Sequence, residues 1–303
     1  MINVLTVDLE DYYHATAFSA NLGSLNGDMH VSRVEHNTDR TLEILAQNNC
    51  LATFFAVGSV AEKFPQLIHR IVRAGHEVAC HSFAHRQVFT LTRAQFFEDT
   101  RRAKVAIENA GGTAVIGYRA PSFSITKDSE WAFEVLAELG FTYDSSIFPI
   151  RHLNFDMQDA PRSPFFVTTS CGSILEFPMT TIQIAGMRAP LAGGAYLRVL
   201  PYWYTRWGIR HLNTSECRPA CVYLHPWELD PEQPRMQGNL TARLRHYFGL
   251  HGAEAKFRRL LEDFEFQPLR ILVEELNNNL SQAPDTSSAQ LRTGEFCSNT
   301  IEL

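Results

Sequence analysis

The stretch INVLTVDLED, residues 2–11, opens the chain with an apolar run that ends in three carboxylates. The run has the length and composition of a buried strand, and the acidic residues fall where that strand ends. Apolar segments at 52–57 and 76–80 follow segments of helical spacing at 33–47 and 65–74. Strands that alternate with helices are typical of βα units around a parallel sheet or barrel.

This alternation extends over most of the chain. It continues at 92–109, 115–118, 128–139 and 141–143, weakens over the proline- and glycine-rich 150–200, and resumes at 201–212 and 220–224. About seven strands result, so we predict an α/β fold, a distorted (β/α)7 barrel over residues 1–230. Helical patterns predict a C-terminal extension packed on the barrel at 231–280, and the polar 281–303 predicts a disordered tail.

Composition excludes several classes of protein. The chain has 303 residues, 45% hydrophobic and 20% charged, with a net charge of −6, so it is too apolar to be disordered and carries no basic excess for nucleic acid or anionic lipid. No stretch approaches the roughly 18 apolar residues of a membrane span. The six cysteines form no CxxC pair, and the start at Met1 has no signal-peptide pattern, so we predict a cytoplasmic protein.

Polar residues at two predicted strand ends suggest a metal site. Asp8, Glu10 and Asp11 follow the first strand, and His81 and His85 follow the third. Carboxylates this close repel one another unless protons or a cation relieve the charge. Histidines at i and i+4 on a helical turn can chelate one metal, and two histidines with one carboxylate leave room for water and substrate. Taken separately, an acidic turn that caps a helix and a locally hydrogen-bonded histidine pair are the commoner arrangements.

Three later strand ends carry further candidates. Arg119 can hold an acidic residue in a bidentate pair, and His225 can act as a general acid with Asp144 as its orienting partner. In a barrel, the carboxyl ends of all strands meet at one face. The ordered set therefore predicts a single catalytic site.

In order, these motifs resemble those of the NodB-type polysaccharide deacetylases, carbohydrate esterase family 4, over residues 1–277. The motifs are TVDLED, HSFAH, RAPSFS, YDSS and LHPWE. GGAYLR at 193–198 and RLRHYFG at 243–249 resemble the exopolysaccharide-locus subgroup, which carries a C-terminal extension. The resemblance implies a metal-dependent hydrolase that removes N-acetyl groups from amino sugars of a polysaccharide or its precursor.

The resemblance also implies a role for each matching residue. Asp8 corresponds to the general base, His81 and His85 to metal ligands, Arg119 to the residue that orients the base, and His225 to the general acid. One divalent metal ion is implied, with zinc expected and cobalt, nickel and manganese as alternatives.

The third metal ligand stays open between two carboxylates. Leu9 stands where the family has its metal-binding aspartate, so the ligand is Glu10 or Asp11. Spacing favours Glu10 and chemical identity favours Asp11. We expect Asp11, because Asp8 and Glu10 need not share a face once the strand turns.

The substrate is expected to meet the backbone of Tyr118 and Pro121, which would hold the oxyanion, and the side chains of Tyr223 and Trp227. Tyr223 stands where the family has an aliphatic residue that lines the acetyl pocket. Two other functions fit the same sequence: hydrolysis of cyclic amides on the same barrel, and an inactive scaffold that binds glycan. A closed cavity would favour the first alternative, and absence of metal would favour the second.

Overall fold

The computed structural model describes residues 1–15, 31–151, 157–191 and 193–282. Eleven strands lie in these ranges. They are β1 (Asn3–Leu9), β2 (Thr53–Ala56), β3 (Glu77–Cys80), β4 (Gly117–Tyr118), β5 (Tyr143–Asp144), β6 (Phe165–Thr169), β7 (Gly172–Glu176), β8 (Thr181–Ile184), β9 (Met187–Pro190), β10 (Cys221–Leu224) and β11 (Phe266–Gln267).

In the same described ranges, ten α-helices pack around or beside these strands. They are α1 (Val34–Gln47), α2 (Gly58–Lys63), α3 (Pro65–Arg73), α4 (Arg93–Gly111), α5 (Trp131–Glu138), α6 (Gly194–Val199), α7 (Tyr202–Thr214), α8 (Leu240–Tyr247), α9 (Leu250–Asp263) and α10 (Leu269–Gln282).

The main sheet confirms the predicted α/β fold. Its strands follow the order β10-β1-β2-β3-β4-β5-β7-β6, and the first seven run parallel. Among the described strands of this sheet, only β6 is antiparallel, as the partner of β7 in a hairpin. No ladder joins β10 to β7 within the described ranges, but Cys221 N donates to Thr180 Oγ1 at 2.6 Å across that opening. The seven parallel strands thus form a distorted barrel.

Strand β1 is completely buried, and most of its residues are apolar. It pairs with β2 and β10, so the carboxyl ends of three strands lie beside the TVDLED motif. Parallel strands buried on both faces are rich in apolar residues. The second, antiparallel sheet contains only β8 and β9.

The structure differs from the sequence prediction in three segments. The irregular 150–200 contains two antiparallel hairpins and α6. Helix α2 was not predicted because six residues are too few to show a helical period. It requires Gly58, where a Cβ atom would lie 2.7 Å from Cα of Ala103. Helix α10 continues to Gln282, two residues into the predicted disordered tail; the rest of that tail lies outside the described residues.

The C-terminal segment joins the barrel. Strand β11 pairs with β1 in parallel, Asn3 opposite Phe266, and Leu269, the first residue of α10, donates its backbone N–H to Thr53 Oγ1 at 2.8 Å. Helix α9 packs against α6 and α7. Among the described helices, none is both long enough and apolar enough to cross a bilayer.

Candidate active site

Asp8 and Arg119 form a buried ion pair at the centre of the site. Asp8 lies on β1, and its Oδ1 accepts from Arg119 Nη1 at 2.8 Å. The same nitrogen donates to Thr6 Oγ1 at 2.7 Å, and Arg119 Nη2 donates to Ser145 Oγ at 2.9 Å. Arg119 is completely buried. The guanidinium thus fixes one oxygen of Asp8 and leaves Oδ2 for other contacts.

Glu10, His81 and His85 place one ligand atom each within 4.8 Å of one another. His85 Nε2 lies 2.5 Å from Glu10 Oε2. His81 Nδ1 lies 2.8 Å from the carbonyl oxygen of Arg119. A protonated Nδ1 at that contact leaves the Nε2 lone pair available to a metal, the usual arrangement for a histidine ligand.

The electrostatics of these three residues suit a cation. Burial lowers the pKa of His81 to about 4, so this imidazole is neutral and able to bind a metal. Burial alone would raise the pKa of Glu10, but the imidazoles of His85 and His225 hold it well below its usual range. Glu10 Oε2 is buried, and His85 Nε2 is its close polar neighbour. Its close approach to His85 requires a proton or a cation between them, so the donor set fits a divalent ion.

The expectation that Asp11 joins the histidines is wrong in this structure. Asp11 Oδ1 accepts from the backbone N–H of Tyr12 at 3.0 Å, and Oδ2 accepts from Ser32 Oγ at 2.5 Å and from Arg33 N at 3.1 Å. Asp11 is therefore the cap of a short 3-10 turn. The physical reason is that β1 runs through Leu9, so Asp8 and Glu10 stay on one side of the chain and Asp11 faces away.

His225 confirms this shared side, because its Nε2 lies 3.5 Å from Glu10 Oε1 and 3.9 Å from Asp8 Oδ2. Its other nitrogen, Nδ1, lies 3.2 Å from Glu228 Oε2. Burial opposes the charged imidazolium, but the carboxylates of Glu10, Glu228 and Asp8 outweigh it and raise the pKa of His225 to about 9. His225 is therefore suited to donate a proton at neutral pH.

The carboxylate beside His225 is Glu228 rather than the expected Asp144. Asp144 accepts from Ser146 Oγ at 2.7 Å and from Ser146 N at 3.1 Å. Burial raises the pKa of Asp144, and burial with the neighbouring Asp144 charge raises that of Glu176 further. Burial therefore disfavours the charged form of both carboxyl groups, and most strongly that of Glu176. Asp144 does not line the cavity that contains His225.

Trp227, which is expected to meet the substrate, also contacts one of the candidate metal ligands. Its Nε1 donates to Glu10 Oε1 at 3.1 Å, so the indole orients the carboxylate. The ring is stacked between two imidazoles: the His225 centroid lies 5.0 Å away and the His246 centroid 4.4 Å away. Burial lowers the pKa of His246 to about 3, which makes it a neutral stacking partner.

A cavity of about 470 Å³ opens onto these residues. Of the expected substrate-binding residues, Tyr223 and Trp227 line it. Tyr118 and Pro121 are not among the lining residues, and the Tyr118 ring packs into the core against Phe96 at a centroid distance of 5.7 Å. The lining contains Ser122 and Phe123 in their place.

The two lining residues after Pro121 have strained backbones. Ser122 and Phe123 have φ of 56° and 55°, a region that non-glycine residues rarely adopt. Such strain persists where the surrounding structure enforces it, commonly at binding sites. Nothing in the sequence RAPSFS signals it.

The sequence analysis missed a second set of functional candidates, which centres on Arg198. Arg198 is buried and donates through Nε to Glu228 Oε1 at 2.6 Å, so it holds the carboxylate that contacts His225. Its Nη1 also donates to the backbone oxygens of His246 and Phe248, at 3.1 and 2.6 Å. The signal was present in GGAYLR and RLRHYFG, the motifs that these contacts join.

Glycines allow the two motifs that Arg198 joins to pack closely against their neighbours. A Cβ atom on Gly193 would lie 2.1 Å from the Tyr223 ring, and one on Gly194 would lie 2.7 Å from the Tyr223 hydroxyl. On Gly249 it would lie 2.7 Å from the carbonyl oxygen of Arg198. The paired glycines therefore accommodate Tyr223, the large residue that stands in an aliphatic position.

Two family models match the chain, and the division between them falls within β5, at Asp144. Residues 26–143 match "Polysaccharide deacetylase", and residues 145–274 match "Domain of unknown function (DUF3473)". Over residues 26–143, the first match confirms the expected resemblance to polysaccharide deacetylases. His81, His85 and Arg119 lie within the first match, and Arg198, His225 and Glu228 lie within the second.

Similar proteins agree with this assignment. The chain is 31% identical over 108 residues to a peptidoglycan deacetylase of Helicobacter pylori, covering 36% of each chain. It is 34% identical over 91 residues to a chitooligosaccharide deacetylase of Sinorhizobium fredii, covering 30% of this chain and 42% of that one. The similarity thus spans less than half of each relative.

Solved structures share the fold. A putative polysaccharide deacetylase from Mycobacterium smegmatis aligns with a TM-score of 0.60 and 20% identity, covering 94% of this chain and 93% of that one. A family 4 carbohydrate esterase pseudoenzyme from Bacillus anthracis aligns with a TM-score of 0.50 and 14% identity, covering 90% and 66%. At such identities the likeness establishes the fold and leaves activity to the residues of the site.

Proposed function

We propose that the protein is a metal-dependent hydrolase that removes N-acetyl groups from the amino sugars of a polysaccharide or its precursor. The observation that carries the proposal is the juxtaposition of three parts in one cavity: the Glu10–His81–His85 cluster, the Asp8–Arg119 pair and protonated His225. Amide hydrolysis needs these three functions, namely activation of water and carbonyl, a base, and an acid.

Glu10, His81 and His85 would hold the ion, for which zinc is the expected metal. When bound, a divalent ion supplies Lewis-acid chemistry: it polarises a carbonyl group and makes water more acidic. Trp227 keeps Glu10 in position by donating to Oε1. Because burial lowers the pKa of His81, a proton does not compete with the ion for this imidazole at neutral pH.

Asp8 takes a proton from the attacking water. Arg119 fixes Asp8 Oδ1, so Oδ2 is the oxygen that faces the cavity toward His225, 3.9 Å away. His225 then donates its proton to the departing sugar amine, which is a poor leaving group until protonated. Glu228 and Arg198 position the imidazole from behind, through contacts of 3.2 and 2.6 Å.

The match to DUF3473 and the motifs at 193–198 and 243–249 support the finer proposal of a role in exopolysaccharide biosynthesis. The relatives are named for peptidoglycan and chitooligosaccharide, and both polymers contain N-acetylated amino sugars. The cytoplasmic location and the domain boundaries at 230 and 280 stay predictions.

The test is release of acetate from N-acetylated glucosamine oligomers by the purified full chain, before and after chelation and after zinc is restored. We expect activity that the chelator abolishes and zinc restores. Cyclic imides, offered in parallel, test the alternative hydrolase. A full complement of metal with no turnover of either substrate class would support the inactive scaffold and contradict the proposal.

A further inference from the structure

Helix α8 has one buried face and one exposed face. Ala242 belongs to a small buried cluster with Tyr12 and Trp227, and His246, one turn later, is 2% exposed. The opposite face carries Leu240 and Leu244, which are 71% and 55% exposed. Large apolar side chains of this kind, grouped on one face, usually mark an interaction surface.

The charge around α8 is opposite to that of the whole chain. Residues 234–248, PRMQGNLTARLRHYF, contain three arginines and no aspartate or glutamate, in a chain of net charge −6. Arg235, Arg243 and Arg245 are all exposed. The segment is therefore a local basic region that the overall composition conceals.

This region borders the mouth of the catalytic cavity. Arg245 itself lines the cavity. Phe248, 59% exposed, directly follows α8, and its carbonyl oxygen accepts from Arg198 at 2.6 Å. Val199, the next residue after Arg198, lines the cavity and is 47% exposed. Apolar and basic side chains thus meet where substrate would enter.

We propose that this surface, the α8 strip (Leu240, Leu244 and Phe248 with Arg235, Arg243 and Arg245), docks on a membrane that contains anionic lipid. Short helices with apolar residues on one face and arginines beside them lie in the bilayer interface, where the apolar side chains enter the acyl boundary and the cations meet phosphate. A second copy that docked through the same surface would present the same arginines and be repelled.

Docking of the α8 strip would place the cavity mouth at the membrane surface. If the proposed function holds, the N-acetylated substrate then reaches the site from that surface, as a glycan carried on a lipid would. The docking itself does not depend on catalysis and is measured separately.

The test uses the full chain and sedimentation with two kinds of vesicle: phosphatidylcholine alone, and equal parts of phosphatidylcholine and phosphatidylglycerol. We expect binding to the anionic vesicles only, weakened by salt. Leu240→Ser with Leu244→Ser should lower the partition coefficient on the order of tenfold, because two apolar side chains lose their burial. Arg243→Gln should lower it on the order of fivefold.

Matched controls lie elsewhere on the surface. Val105, 45% exposed on α4, and exposed Arg73 serve as Val105→Ser and Arg73→Gln, which should bind as the unmodified chain does. Equal binding to both vesicles, no binding at low salt, or equal losses in the controls would overturn the proposal. So would a change of oligomeric state in the double variant without a change in vesicle binding.

A further readout separates this proposal from the proposed function. The double serine variant should hydrolyse a soluble N-acetylated oligomer at the unmodified rate, because neither leucine lines the cavity. If the unmodified chain binds anionic vesicles but releases no acetate from any substrate, the docking surface stands and the proposed function fails.

Discussion

The two walls of the cavity differ in how their functional groups are held. In the wall formed by β1 to β4, Asp8, His81 and Arg119 lie on strands or directly after them, and the sheet register positions them. In the other wall, His225 follows β10, the strand that pairs with β1, but depends on Glu228, which depends on Arg198 from a different helix. In one half of the site the functional side chains are positioned by the order and register of the strands. In the other half they are positioned by contacts between segments that are distant in sequence.

The largest expected effect is a loss of kcat on substitution of Asp8, which lies in the wall positioned by the strands. Asp8→Asn keeps an oxygen to accept from Arg119 but removes the base, so kcat should fall on the order of 10²–10⁴. Steady-state kinetics with a metal analysis of the same sample measure this. Metal content should be unchanged, because the metal cluster does not include Asp8. Loss of metal in step with activity would make Asp8 a ligand and contradict the assignment.

A smaller effect tests the contact-built wall. Glu228→Gln should reduce amide turnover on the order of tenfold, since the imidazole of His225 loses a charged partner at 3.2 Å. An activated ester needs no protonation of its leaving group, so its hydrolysis should fall much less. The matched control is Glu232→Gln, at an exposed glutamate four residues further along the chain. Equal losses for amide and ester would assign Glu228 a structural role only.

These two walls also show what the sequence could predict. Asp8, His81, His85 and Arg119 were found because apolar runs mark strands and each residue sits where a run ends. The choice between Glu10 and Asp11 failed because it depended on where β1 stops, and strand ends are uncertain by a residue or two. A slip of one residue reverses the face of every side chain.

The sequence could not predict contacts between residues that lie far apart along the chain. Arg198 and Glu228 are thirty residues apart, and no periodicity links them. Asp144 was chosen as the expected partner of His225 because it ends a predicted strand. The structure confirms that Asp144 ends β5, but the position of a residue at a strand end does not predict which side chains lie beside it. In the structure the neighbour is Glu176 on β7, from a segment whose hairpins the proline content obscured.

The smallest expected effect is a change in stability on substitution of Glu176, which with Asp144 forms the buried carboxyl pair outside the catalytic site. The raised pKa of Glu176 means that the folded state holds its proton more tightly than the unfolded state. Its contribution to stability is therefore complete below the ordinary glutamate range and is lost as pH rises toward the raised pKa. Glutamine cannot ionise, so Glu176→Gln should not lose stability as pH rises. Its free energy of unfolding at neutral pH should exceed that of the unmodified chain by about 1 kcal/mol.

Urea unfolding of both chains from pH 5 to pH 8 measures the difference. The stability of Glu176→Gln should depend less on pH than that of the unmodified chain. The control is Glu130→Gln, at an exposed glutamate, where no change is expected. Destabilisation of Glu176→Gln at neutral pH would show that Glu176 is ionised in the folded protein.

The central claim is that Glu10, His81 and His85 hold one divalent ion, and metal stoichiometry of two neighbouring variants tests it most directly. Glu10→Gln removes the charge beside His85, whereas Asp11→Asn changes a residue that only caps a turn. After dialysis against zinc and removal of the excess, the unmodified chain and Asp11→Asn should each retain about one ion, and Glu10→Gln should retain far less. Retention by Glu10→Gln with loss in Asp11→Asn would contradict the account.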